Sequence, residues 1–462
     1  MQKQYVRRLQ FALSLALYAA VGAVAAVGAQ GFSQPDIDFN GSVRASGGVV
    51  KAGDTVEISG IEFKPGQSIT LLRGDIALNT TPYIADAEGR FSGSFALPDN
   101  AAIGRHPIVV RADNPDAATV FELKVSEEVP LSGSEKFDAV SNKLVQGLYQ
   151  AAFSAKSNAL FVTAAVGRPP VTQSELLKID PETLEIIARV TPAQVEGKTD
   201  ERVYAVYGVG VDDANGYVWV TNTRDDTAAV YRQSDLSLVK QFEPGLVPHG
   251  RDVVVDSKNR RVYASAFGAP IVAVFDAQTL EVLPPIEIQS SVRGETFSPM
   301  ALNLDAEASL LYTVSMSTGE VAVIDSATGK VNRVFALPNA NAASGVAVDA
   351  QGRRLFIASQ GSDNLLIVDS ESGAVLHDVY VGAGAVYVTF DPHSRLAFVP
   401  NRAAGTVTAV NSSGEIIANL AGGTFPNHIV TDGRGNMFAV NKSRGADDPD
   451  GDHVHRFSMK AN

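Results

Sequence analysis

The chain has 462 residues, 45% of them hydrophobic, with 40 Gly and 22 Pro, which exceeds one ordinary domain and lies far from the composition of a disordered chain. It contains no cysteine, which excludes disulfides, thiolate zinc sites, a thiol nucleophile and a lipid-modified N-terminal Cys. The net charge is −13, and residues 1–29 carry Lys3, Arg7 and Arg8 without an acid, so the remainder holds 35 basic against 51 acidic residues, a net of −16. That balance argues against non-specific nucleic-acid binding, which draws its affinity from neutralising phosphates.

Residues 1–29 read as a secretory signal: a basic start, an apolar run from Leu9 to Val27, and the small residues Val27-Gly28-Ala29 before Gln30. The run approaches spanning length, but its many Ala and Gly residues and its small-residue end mark it for cleavage after Ala29, leaving a mature chain that is not embedded in the membrane. Residues 30 to about 40 form a short polar linker. Strand signals then recur between turns over 40–126, at Asp54–Ser59, Gln67–Leu72, Arg90–Phe95, Pro107–Arg111 and Ala118–Val125. Their alternation of apolar and polar residues predicts half-buried antiparallel strands, hence a small β-sandwich. Glu127 to Ser134, with acids, Pro130, Ser and Gly, reads as a connector.

From Phe137 onward the chain repeats. An apolar–aromatic–apolar step marks the second strand of each unit, at Phe161, Trp219, Tyr263, Tyr312, Phe356, Phe398 and Phe438. A polar residue ends each first strand, at Ser154, Asp212, Asp256, Asp305, Asp349, Asp391 and Asp432, spaced by 58, 44, 49, 44, 42 and 41 residues. Seven units of four short strands with a period in the forties predict a seven-bladed β-propeller over 137–462. The seventh unit runs out after three strands, and Phe137-Asp-Ala-Val140 is the natural donor of its fourth, which removes two exposed sheet edges. The expected fold is therefore all-β, a sandwich followed by a propeller.

Two resemblances accompany this reading. The run Gly60-Ile-Glu-Phe63-Lys-Pro65-Gly66 before an alternating strand resembles the bacterial immunoglobulin-like modules, which implies a domain that spaces or presents its neighbour. The repeat units resemble the YVTN type, as in Val218-Trp-Val-Thr-Asn222, Val321-Ala-Val-Ile-Asp325, Leu366-Ile-Val-Asp369 and Ile179-Asp-Pro-Glu-Thr-Leu-Glu185. More narrowly, residues 137–462 are similar to the YncE family of periplasmic seven-bladed propellers through Ser154-Ala-Lys-Ser-Asn-Ala-Leu160, Arg251-Asp-Val-Val-Val-Asp256 and Phe425-Pro-Asn-His428. That resemblance implies a periplasmic binding protein associated with single-stranded DNA and, by neighbourhood, with a TonB-dependent outer-membrane receptor.

Threading the repeat places Arg202, Tyr204, Arg224, His249, Arg251, Arg293, Phe297, Arg402, His428, Lys442 and Arg444 on the loop face around the central funnel. Arg and aromatic side chains together suit phosphate pairing and base stacking, although Glu201, Asp225, Asp226, Asp252, Glu295 and Asp363 share those loops. His249 and His428 begin inner strands and are candidate metal ligands, one or two short of the usual set. Asp180, Asp212, Asp276, Asp325, Asp349, Asp369 and Asn411 recur once per unit and read as Asx turns. The chain has no phosphate loop, no His-Glu-x-x-His, no Gly-x-Ser-x-Gly, a single Trp and only seven His. The expected function is thus an exported, non-catalytic binding propeller without a cofactor, engaging a ligand or a protein partner. The alternative is a metal-dependent enzyme of the lactonase or lyase type.

Overall fold

The computed structural model describes residues 38–460, so the proposed signal segment lies outside the described residues. The chain divides into two compact units between Val125 and Ser126. The described residues form β-strands with two single-turn 3-10 helices, and no helix among them is long and apolar enough to cross a membrane.

The first unit holds two antiparallel sheets. One orders Ser42–Ser46, Thr55–Ile61 and Phe91–Ala96; the other is built on Ser68–Arg73, Gly104–Asp113 and Ala117–Val125. Alternation along each strand sends Val56, Ile58 and Phe95 from one sheet, and Ile69, Leu71, Ile108, Val110, Phe121 and Leu123 from the other, into a single core. Phe63 seals that core edge-on against Phe39 and Phe91, with ring centroids 5.5 and 5.2 Å apart. Ser42–Ser46 adds Val43 and Ala45, both half-buried, to the same core.

The second unit holds seven four-stranded antiparallel sheets, the first six running in chain order from an inner to an outer strand. Their innermost strands pack side by side in sequence, and the seventh returns to the first. Blades one to seven begin at Leu148, Val206, Gly250, Pro299, Ala343, Thr389 and Pro426. The landmark aromatics are all buried, at most 3% exposed, between one blade and the next. Phe356, for instance, stacks on Phe390 of the following blade at 5.3 Å. The seventh blade takes Phe137–Lys143 as its outer strand, antiparallel to His453–Met459, with Ala139 opposite Phe457 and Val140 opposite Arg456.

The strand-end acids do form turns: Asp180 accepts from the backbone N–H of Glu182 and Thr183 at 2.8 and 2.9 Å, and Asp276 does the same for Gln278 and Thr279 at 2.9 and 2.8 Å. The connector is less free than its composition suggests. Ser132 exchanges both backbone hydrogen bonds with Asn419 of blade six, whose side-chain amide also donates to the Val129 carbonyl at 2.8 Å.

Candidate functional site

The propeller repeat decides which residues face the axis. Counting back five residues from each first-strand landmark gives Tyr149, Tyr207, Arg251, Met300, Ser344, Val386 and Asn427, and all seven line the central cavities. Counting four forward from each aromatic landmark gives Ala165, Thr223, Phe267, Met316, Gln360, Arg402 and Lys442. Six of those line the same cavities, and Phe267 lies under the Arg251 guanidinium at 5.5 Å. The two rings are lopsided: blades six, seven, one, two and three contribute cations and Tyr rings, while blades four and five contribute Met, Ser and Gln.

The cationic side is a funnel of about 330 Å³ lined by Tyr149, Tyr207, Arg224, His249, Arg251, Arg402 and Lys442, with no Asp or Glu among its lining residues. Arg251 lies in an inner strand, Arg224 in a single-turn 3-10 helix, and Arg402 and Lys442 directly after second strands. In blades six and seven the Asn that ends the second strand clamps a loop: Asn401 donates to the Val381 carbonyl at 2.8 Å, and Asn441 accepts from the His453 N–H at 2.6 Å. The very next residues are Arg402 and Lys442. Gly208 permits the close approach of the neighbouring inner strand, since a Cβ there would lie 2.4 Å from the Arg251 carbonyl.

The side chains then brace one another. Arg251 donates to the Tyr149 hydroxyl, Arg224 donates to the Tyr207 hydroxyl at 3.2 Å, and the two Tyr rings meet edge-on at 4.5 Å. Arg402 donates to Asn427 Oδ1 at 3.0 Å, and Asn427 donates to the Tyr149 carbonyl at 2.8 Å. Lys442 Nζ lies 4.7 Å from the centre of the Tyr149 ring. Arg251 Nε is buried without a hydrogen-bond partner. Burial, and then the charge of Arg251 against the opposing influence of Tyr149, lowers the Arg402 pKa. Lys442 is pushed down to about 8 by burial and then by Arg402, with Arg224 and Arg251 adding to the effect and Asp452 opposing it. His249 is lowered by burial and then by Arg251 and Arg224, which favours its neutral form. Cations gathered without acids are arranged to receive an anion.

The next residue of three inner segments, Asp252, Tyr387 and His428, forms a cluster beside the funnel. Asp252 accepts from the Tyr387 hydroxyl at 3.2 Å and from the Leu302 N–H at 2.9 Å, and the Tyr387 ring lies 4.0 Å from that of His428. Burial pushes Asp252 up to about 6, against its hydrogen bonds from Leu302, Val253 and Tyr387. Burial also pushes His428 down to about 3.

Of the residues expected on the loop face, Arg224, His249, Arg251, Arg402 and Lys442 come together. Phe297 does not: it is fully buried among Tyr263, Leu302 and Leu311, because it turns inward to fill the space between blades three and four. Tyr204 is also buried, and with Arg202 it lines a separate cavity of about 540 Å³ that includes Glu196, Asp225, Asp226 and Glu243. Arg202 is spent on Asp200. Arg293 is exposed on the loop before blade four, away from the funnel lining. Arg444 lines a third cavity of about 490 Å³ between blades six and seven, its guanidinium 5.2 Å from the Phe425 ring. His428 does not reach the mouth; its Nδ1 accepts the Ala151 N–H at 3.4 Å and its ring packs on Tyr387. It therefore does not line the funnel beside His249.

No family model matches the chain. The chain is 24% identical over 316 residues to the uncharacterized protein YncE of Salmonella typhimurium, covering 66% of this chain and 84% of that protein. Among solved structures, the fold is similar to Kuenenia stuttgartiensis hydrazine synthase, with a TM-score of 0.54 at 14% identity over 65% of this chain and 94% of that one. It is equally similar to virginiamycin B lyase from Staphylococcus aureus, with a TM-score of 0.54 at 11% identity over 70% of this chain and 100% of that one. The chain is an all-β protein containing a seven-bladed β-propeller similar to YncE.

Proposed function

We propose that this chain is an exported binding protein whose funnel holds an anionic ligand, or the anionic end of a partner, as its primary role. The observation that carries the reading is the funnel wall: Arg224, Arg251, Arg402 and Lys442 share one cavity, and no carboxylate lines it. Like charges held together disfavour the empty state, and an anion relieves that repulsion as it gains charge-assisted hydrogen bonds. On this reading the first unit is an immunoglobulin-like spacer, residues 1–29 direct export to the periplasm or beyond, and a TonB-dependent receptor is a candidate partner. Single-stranded DNA keeps the support of four cations, but stacking on Phe297 is lost to burial, so its bases would have to use Tyr149 and Tyr207. The alternative, a metal-dependent lactonase or lyase using His249 and His428, has less support because the His428 ring packs on Tyr387.

Titration calorimetry with oxalate and with pyrophosphate at fixed ionic strength tests the reading. A charge-assisted hydrogen bond contributes about 1.5–3 kcal/mol, so Arg251→Ala and Arg402→Ala should each weaken binding by about tenfold or more. Absence of saturable binding, or binding unchanged in both variants, would overturn it.

A further inference from the structure

We propose that Lys442 captures small anionic carbonyl compounds in the funnel as a reversible imine, a chemistry that rests on the anion-binding reading above. Lys442 combines three features. It lines the funnel in company with Arg224, Arg251 and Arg402, and among the described residues it makes no ion pair or hydrogen bond through its side chain. Its Nζ is parked on the face of Tyr149, 4.7 Å from the ring centre, where no acceptor fixes its protons. Its backbone is fixed, with Lys442 N–H donating to the Phe425 carbonyl at 3.1 Å and Asn441 clamped on the loop that follows. A structural lysine is ordinarily exposed or paired with an acid, and this one is neither.

The charged groups that bear on the amine are Arg402, Arg224 and Arg251, which disfavour its protonated form, and Asp452, which favours it. Asp452 is itself engaged, accepting from the Gly147 N–H at 2.8 Å. With the pKa at about 8 rather than the ordinary 10.5, roughly 200 times more free amine is present at pH 7.5. Burial beside other cations is the arrangement by which a lysine becomes a nucleophile at neutral pH.

The guanidinium groups would hold the carboxylate or phosphate of the ligand and leave its carbonyl carbon to the amine. The Nζ lone pair forms the C–N bond, and the carbonyl π pair moves to oxygen, which takes up a proton as the nitrogen gives up one of its two, to give a carbinolamine. The C–O bond then breaks, water leaves with one further proton, nitrogen loses its proton, and the C=N bond forms. Amine and aldehyde become imine and water, with no change of oxidation state.

The test uses the full chain with glyoxylate, an anionic aldehyde, and glycolaldehyde, a neutral one of similar size. Sodium cyanoborohydride traps any imine, and peptide mass spectrometry locates it. Lys442 should be carboxymethylated at least tenfold faster than the exposed Lys156 and Lys258, with the rate rising as pH passes through about 8. Glycolaldehyde should show no such preference, oxalate should protect, and Lys442→Arg should abolish the selective label. Oxalate binding with Lys442 labelled no faster than the exposed lysines would overturn the imine and leave the anion site standing. Selective labelling that oxalate does not slow would overturn the assignment of the guanidinium groups as its carboxylate clamp, and failure of both binding and labelling would overturn both readings.

Discussion

Asp252 is a buried carboxyl whose pKa is raised from 3.8 to about 6, and this makes the propeller's stability depend on pH in a defined direction. Burial penalises the ionised form, so the folded chain holds a proton that the unfolded chain has already released between pH 3.8 and about 6. The folded state binds more protons in that window, and stability falls as pH rises through it. The advantage of the neutral carboxyl is fully present below pH 3.8 and is lost above about 6. Moving the pKa from 3.8 to about 6 corresponds to roughly 3 kcal/mol. Asp252→Asn removes the titration and loses one acceptor, a fixed offset of about 1 kcal/mol. Whatever that offset, the stability of the variant relative to the parent should increase by roughly 3 kcal/mol from pH 4 to pH 8. Urea unfolding followed by the fluorescence of Trp219 measures this, because Trp219 is the chain's single Trp and is buried in blade two, so the signal reports the propeller alone. Subtracting the two curves cancels the other titrating groups. A difference that stays flat across that range would refute an isolated raised carboxyl and imply that water or a cation compensates Asp252.

Two further outcomes follow from packing. A chain beginning at Ser126 keeps Phe137–Lys143 and should show the same propeller unfolding as the full chain, whereas one beginning at Leu144 loses the seven-residue ladder to His453–Met459 and should fail to give a cooperative transition. Equal midpoints for the two would show that the ring does not need its closing strand. Phe297→Ala should cost about 3–5 kcal/mol of propeller stability and leave oxalate affinity unchanged, since the ring lies between blades and outside the funnel lining.

The architecture was legible because a propeller repeats its constraints. Each aromatic landmark is buried against the next blade, so the period survives in sequence even where identities vary. The closing strand was legible from a deficit, three strands where four were needed. The site was legible only in part, because threading assigned whole loops to a face, and a loop residue can turn either way. Phe297 sits on the loop before blade four and turns into the core, while Tyr149 and Tyr207, inside strands, were passed over although they line the funnel. The usable signal was positional: five residues before each first-strand landmark and four after each aromatic one.

Net charge pointed away from the feature that the funnel displays, and the reason lies in distance. Charges separated by more than the Debye length, about 8 Å at physiological salt, are largely screened from one another. The acids that make the chain −16 beyond residue 29 are spread over strand ends and outer loops, where many of them organise turns, as Asp180, Asp276, Asp325 and Asp369 do. Inside the funnel, low-dielectric walls strengthen the field of nearby charges, and those charges are Arg224, Arg251, Arg402 and Lys442. A small anion that enters therefore meets a positive site while the exterior stays negative. On the proposed reading a long polyanion would also meet Asp225 and Asp226 in the neighbouring cavity, where Lys198 and Arg202 offset them only in part, so a compact anion is the expected ligand.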